Sequence, residues 1–121
     1  MESTSGFFEI EVQDDVLIVT PTGNMGEFDS EHISTGAKIV FDRLTHSNLS
    51  RLVFDFNKTE YFGSTALGFF VRLWRTVSAR GGRMAFCNLS ETEADILKVT
   101  KLNHLWSICP TKADAVRSVR G

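Results

Sequence analysis

The run Phe62-Gly63-Ser64-Thr65-Ala66-Leu67-Gly68 puts a serine hydroxyl where a loop passes into a long helical pattern. Backbone N–H groups at a helix start lack intrahelical partners, and with the helix dipole they favour negative charge. Two readings of Ser64 follow. It is a phosphoryl acceptor whose modified form those N–H groups stabilise, or it is an N-cap worth about 1 kcal/mol. Gly63 and Gly68 suit a tight turn and a close helix–strand approach, yet neither G-x-G-x-x-G nor G-x-x-x-x-G-K-[ST] is present. The string F-G-S-T-A also departs from the G-x-S-x-G of a hydrolase elbow. Cys87, in the apolar run MAFC, reads as a small buried hydrophobe, and His104 near Lys101 as a solvated cation at a helix end. Nothing there suggests an activated thiolate, so a Cys–His enzyme is not expected. Asp55, inside LVFDF, is expected to hydrogen-bond loop backbone rather than act as an acid. The two cysteines and His32, His46 and His104 lack zinc-type spacing, so neither metal nor cofactor is expected.

The elements that position these groups are legible from periodicity. Phe8, Ile10 and Val12 alternate with Glu9 and Glu11, the pattern of a half-buried edge strand. Val16–Thr20 and Leu52–Phe56 are continuous apolar runs that fit strands covered on both faces. Asp29 is placed to N-cap a helix with Phe28 and Ile33 as a hydrophobic staple; Ile33, Ala37, Val40, Phe41 and Leu44 form its inner face. From Ser64 a second helix runs to about Arg80 with Leu67, Phe70, Val71, Trp74 and Val77 on one face, and Gly81-Gly82 stops it. Met84–Cys87 reads as a strand. Ser90 and Glu93 form a capping-box pair before a helix carrying Ala94, Leu97 and Leu102. Leu105–Ile108 reads as a short strand, and Thr111 caps a last helix with Ala115, Val116 and Val119 inward.

The order β-β-α-β-α-β-α-β-α implies a single α/β domain over residues 7–119, preceded by a flexible segment 1–6. Its sheet is largely parallel with right-handed crossovers, and its first strand is an antiparallel edge. In such a sheet, functional groups gather at the carboxyl ends of the strands. Three loops lie there: Thr22–Phe28, Asn57–Gly63 and Asn88–Ser90. Met25, Phe28, Tyr61, Phe62 and Phe69 lie near this rim, where they serve either as core or as an exposed patch for a protein partner. Phe62 is the one placed to plug the end of the sheet.

Composition narrows the partners. With 121 residues there is room for one domain. Thirteen Lys plus Arg against fifteen Asp plus Glu give a net charge of −2, which offers no basic face to nucleic acid. No apolar run is long enough to span a bilayer, and MESTSGFFEI does not resemble a secretory signal. A cytoplasmic location with Cys87 and Cys109 as reduced thiols is therefore expected. The exposed edge strand and the aromatic rim are places where two copies would pair, so a weak homodimer is among the expectations.

LVFDFNKTEYFGSTALGFFVRL resembles the central segment of STAS domains, the family of bacterial anti-sigma factor antagonists. In that family the segment ends a strand, crosses a short loop and reads D-S-S-G-L-G at the helix start. ILKVTKLNHLWSICPTKADAV resembles the family's closing segment, where L-x-x-T-G-L precedes a short strand and a T-x-x-E-A helix start. The element order agrees from Phe7 to Val119. Gly63 stands where the family carries an acidic residue, while Ala66 and Lys101 stand in place of glycines. The Asn24–Phe28 loop is also a residue or two longer than the family's G-E-L-D form.

The resemblance implies a non-enzymatic binding switch. Antagonists of the family bind an anti-sigma factor that is also a serine kinase. Phosphorylation of the serine at the helix start abolishes binding, and a PP2C-type phosphatase restores it. That serine aligns with Ser64, and the second hydroxyl position with Thr65. The implied docking face comprises Asn24, Met25, Gly26, Asp29, Tyr61, Gly63 and Phe69. A phosphorylation-independent STAS subunit of a signalling complex or lipid-transport ABC assembly is the alternative, and weak nucleotide contact near the same rim stays open.

Overall fold

A computed structural model describes residues 2–5, 8–26 and 30–120 of the chain. Strands β1 (Glu2–Ser5), β2 (Phe8–Gln13) and β3 (Val16–Pro21) form an antiparallel meander. Helix α1 (Ser30–Ser47) then leads to β4 (Arg51–Asp55), α2 (Ser64–Ala79) to β5 (Arg83–Cys87), and α3 (Glu91–Val99) to β6 (Ser107–Cys109). Helix α4 (Lys112–Arg120) ends the described chain. The six strands lie in sequence order, with β3, β4, β5 and β6 parallel. This is the α/β order read from the sequence, with one strand added.

That strand corrects the reading of residues 2–5 as part of a flexible N-terminal segment. Glu2 pairs with Glu11 and Ser5 with Phe8, so β1 takes the edge and β2 lies one strand inside it. ESTS carries no apolar alternation, so the pairing rests on backbone hydrogen bonds that no side-chain pattern announces.

Period-two alternation divides the core between the sheet's two faces. Leu17, Val19, Leu52, Phe54, Met84 and Phe86 point to the side that holds α1 and α2, where Ile33, Val40, Leu44, Phe70, Leu73 and Val77 meet them. Val16, Ile18, Val53, Ala85 and Cys87 face the opposite way, against Ala115, Val116 and Val119 of α4. The ring of Phe54 lies at the centre of the larger face, with centroids 5.0 Å from Phe70, 5.6 Å from Phe86 and 5.8 Å from Phe69. Such edge-on pairs contribute about 0.5–1.5 kcal/mol each beyond burial. They fix α2 against β4, and so fix the height of the α2 start.

Helix α2 is rotated from the face expected. Ala66, Phe69, Phe70, Leu73 and Val77 are buried, while Leu67, Val71 and Trp74 are only partly covered. The helix is apolar over most of its circumference, so the spacing of its large residues does not single out one stripe. After α3, Lys101 adopts φ 61° before a 3-10 turn at Leu102–His104. This is the left-handed region that glycine enters without strain and a lysine enters at a cost. The last strand begins at Ser107, later than the expected Leu105, because Trp106 turns inward and stacks on Phe86 at 4.6 Å.

Candidate functional site

Strand β4 ends at Asp55, and residues 56–63 carry the chain across the sheet end to α2. Asp55 is buried, and its Oδ1 accepts from the backbone N–H of Asn57 (3.1 Å) and from Nδ2 of Asn88 (2.9 Å). It ties the loop after β4 to the loop after β5, the backbone role expected of it. Asn88 takes φ 56°, which asparagine tolerates better than most residues.

A second fastening lies deeper. Glu93 is wholly buried, yet both its oxygens are used. Oε1 accepts the Ser90 N–H (3.0 Å), and Oε2 accepts the hydroxyl of Thr59 (2.6 Å), itself 6% exposed. Ser90 Oγ accepts the Glu93 N–H (3.1 Å) to complete the capping box, and donates to the carbonyl of Glu60 (2.7 Å). The sequence showed the capping box. It did not show that the same carboxyl reaches across to Thr59, because that partner is thirty-four residues away.

The other flank of the loop is held by the segment after β3. Asn24 Oδ1 accepts from the backbone N–H groups of Glu60 (2.8 Å) and Tyr61 (3.3 Å). Met25 and Phe62 form a parallel bridge, in which the Met25 N–H donates to Tyr61 O (3.3 Å) and the Gly63 N–H to Met25 O (2.8 Å). The three loops singled out in the sequence are thus interlocked at the carboxyl ends of β3, β4 and β5.

This rim presents the start of α2. Gly63 is the N-cap, with φ −105° and no side-chain capping bond, and Ser64 is the first helical residue. The cap reading of Ser64 is therefore corrected: its hydroxyl lies one residue inside the cap position and is exposed. Thr65 is exposed beside it, and the first turn of α2 contains no acidic residue. On the same exposed surface, a Cβ built at Gly68 would meet nothing within 4 Å.

Part of the docking face expected from the sequence is core instead. Met25 and Phe69 are 0% and 3% exposed, and Phe62 is wholly buried, as its expected role as a plug requires. The parallel bridge draws Met25 inward, and Phe69 packs on Phe8 and Phe54. Gly63 is also buried and contributes backbone only. Asn24 is exposed, Gly26 is half-buried, and Tyr61 supplies an exposed aromatic ring. Asp29, with the Phe28 staple, lies outside the described residues.

Cys87 is wholly buried at the end of β5. Burial, and after it the nearby Asp55 carboxylate and Cys109, push the Cys87 thiol up to about 12. That is the opposite of what a nucleophilic cysteine needs. Among the described residues, no group of three or more His, Cys, Asp or Glu is arranged to hold a metal ion. No described helix is long and apolar enough to cross a membrane.

Comparison with known proteins agrees with this architecture. A curated relative from Thermotoga maritima, provisionally named an anti-sigma factor antagonist, is 26% identical over 113 residues, covering 93% of this chain and 97% of its own. The crystal structure of an anti-sigma factor antagonist from Thermotoga maritima, also provisionally named, superposes with a TM-score of 0.84 at 24% identity, covering 94% of this chain and 95% of that one. The phosphorylated form of the Bacillus cell fate determinant SpoIIAA superposes with a TM-score of 0.69 at 18% identity, covering 93% of this chain and 99% of that one. The family model described as the STAS domain matches residues 7–115, and the chain belongs to that family.

Proposed function

We propose that this chain is a cytoplasmic, non-enzymatic anti-sigma factor antagonist whose binding is switched by phosphorylation of Ser64. The observation that carries the reading is the placement of Ser64: exposed, first in α2, and not used as its cap. A kinase reaches such a hydroxyl without unfolding anything, and the free N–H groups of the helix start stabilise the product. Thr65 is a second, weaker acceptor. Asn24, Gly26, Tyr61 and the exposed α2 start form the docking face. The partner is an anti-sigma factor of the serine-kinase type, and a PP2C-type phosphatase resets the switch. Two related observations support the reading. The curated relative bears the antagonist name, and a structural neighbour described as an anti-sigma factor antagonist is known in both unphosphorylated and phosphorylated forms.

The energetics are sufficient. A phosphoryl group adds about −1.5 to −2 charges at neutral pH, in the middle of a surface that docks by excluding water. A hundredfold loss of affinity needs only about 2.8 kcal/mol, and leaving a charge unpaired in an interface costs more than that. The test is to measure binding of a kinase-type anti-sigma factor to the wild type, Ser64→Ala and Ser64→Asp. The alanine variant is expected to bind like the unmodified protein and the aspartate variant at least a hundredfold more weakly. Equal binding by all three would overturn the switch.

A further inference from the structure

The outer face of α2 holds a glycine that the fold of a single chain does not require. Gly68 lies inside a sixteen-residue helix and is exposed, and a Cβ built on it would meet nothing within 4 Å. Glycine in a helix interior is destabilising relative to alanine, so its use here calls for a reason outside the chain, such as the close approach of another backbone. At 3.6 residues per turn, Ser64, Gly68 and Arg75 fall within about 40° of one another around the helix, with Arg72 beside them. All four are exposed. The helix carries no Asp or Glu, and Arg75 has no partner among the described residues. Arg72 is held with its guanidinium 5.2 Å from the centre of the Phe41 ring, a contact that takes up none of its N–H donors.

A second copy of the chain fits this face by symmetry. Two α2 helices packed antiparallel about a two-fold axis at Gly68 touch where neither has a side chain, and every contact made by one copy is repeated by the other. A residue four places before Gly68 then opposes one four places after it, so Ser64 of each copy lies against Arg72 of the other. Arg75, seven places after Gly68, reaches the loop that carries the exposed ring of Tyr61. In the unmodified chain these arginines meet the positive end of the other helix, which opposes pairing. A phosphoryl group on Ser64 reverses that sign and offers three acceptor oxygens to the guanidinium fork. On the reading of Ser64 as the phosphoacceptor, we propose that phosphorylated copies of this chain pair through α2, each Ser64 phosphoryl group held by Arg72 and Arg75 of the other copy. The pairing covers the docking face, so phosphorylation withdraws that face by occlusion as well as by charge.

Sedimentation velocity of the whole chain, with phosphoserine incorporated at position 64 during translation, tests the pairing without a kinase. Between about 10 and about 500 μM, the phosphorylated chain is expected to dimerise with a dissociation constant on the order of 100 μM, and the unmodified chain at least about tenfold more weakly. Raising NaCl from about 0.05 to about 0.5 M should weaken the dimer several-fold, because it rests on charge pairs. In the phosphorylated chain, Gly68→Leu fills open space on an exposed helix face and holds two helices apart, so it should weaken the dimer at least about tenfold. Arg72→Gln removes the opposing fork, with a loss of about the same size expected, and urea unfolding checks that both variants are folded. A phosphorylated chain that stays monomeric, an unmodified chain that dimerises as tightly, or unchanged association in Arg72→Gln would each overturn the proposal. So would a dimer that survives Gly68→Leu, which would place it on another surface such as the β1 edge. Because the phosphoserine is built in, a monomer refutes the pairing and leaves the Ser64 switch standing, whereas an unmodified Ser64 in cells refutes the switch itself.

Discussion

Replacing Glu93 by alanine isolates the fastening that holds the 56–63 loop to α3. The variant removes the acceptor of the Ser90 N–H at 3.0 Å and of the Thr59 hydroxyl at 2.6 Å, both to a wholly buried carboxyl group. Leaving a buried donor without its acceptor costs about 1–3 kcal/mol. Ser90 is half-buried, so water recovers part of its loss, and a total of about 3 kcal/mol is expected. For a domain of this size that lowers Tm by about 10 °C. Urea unfolding with linear extrapolation measures the energy, and the Thr59→Val variant in a double-mutant cycle isolates the pair, with a coupling above about 1 kcal/mol expected. Hydrogen exchange should show the amides of Glu60 and Tyr61, which donate to Asn24 across the same loop, losing protection before the central strands. A Glu93→Ala variant within about 0.5 kcal/mol of wild type, or additive effects of the two substitutions, would refute the fastening.

Four further outcomes follow from the same geometry. Ser64→Asp should fold normally and gain about 0.3–1 kcal/mol at low salt, because it adds negative charge to a first turn that has none; a loss in urea unfolding would contradict the helix-start placement. Cys87 should resist a disulfide reagent at pH 8 until the chain unfolds, while the half-buried Cys109 reacts first. Since the Cys87 thiol is raised from about 9.0 to about 12, the unfolded chain loses that proton first, so its stabilising contribution is complete below pH 9 and disappears as pH rises toward 12. Equal labelling of the two thiols in the native protein, or stability flat over that window, would contradict the burial. Lys101→Gly should raise stability by about 0.5–1 kcal/mol in urea unfolding by removing left-handed strain, and a loss would show that the Lys101 side chain contributes more than the strain costs.

Much of the frame was legible because local patterns and the fold agree. The run Val16–Thr20 is a strand with both faces covered, Ile33, Ala37, Val40 and Leu44 form the inner face of α1, and Ser90 with Glu93 closes a capping box. What escaped the sequence depends on distant parts of the chain. Strand β1 is polar and is defined by pairing with β2 alone. Helix α2 offers apolar residues on more than one face, and its packing on Phe54 of β4 turns Phe69 inward. Met25 reads equally as core or as an exposed rim residue until its bridge to Phe62 is known. At the site, Ser64 was found by its place before a long helix, whereas the Asn24, Thr59 and Ser90 bonds that hold its loop join segments far apart in sequence.

The central claim is that Ser64 carries a phosphoryl group in the cell. Intact-mass measurement of the protein isolated from its own cells, before and after phosphatase treatment and with fragment mapping, addresses it directly. One phosphoryl group on Ser64, removed by the phosphatase, is the expected result. An unmodified Ser64 under every growth condition would contradict the switch and leave the rim as a docking face that works without phosphorylation, as in a constitutive STAS subunit.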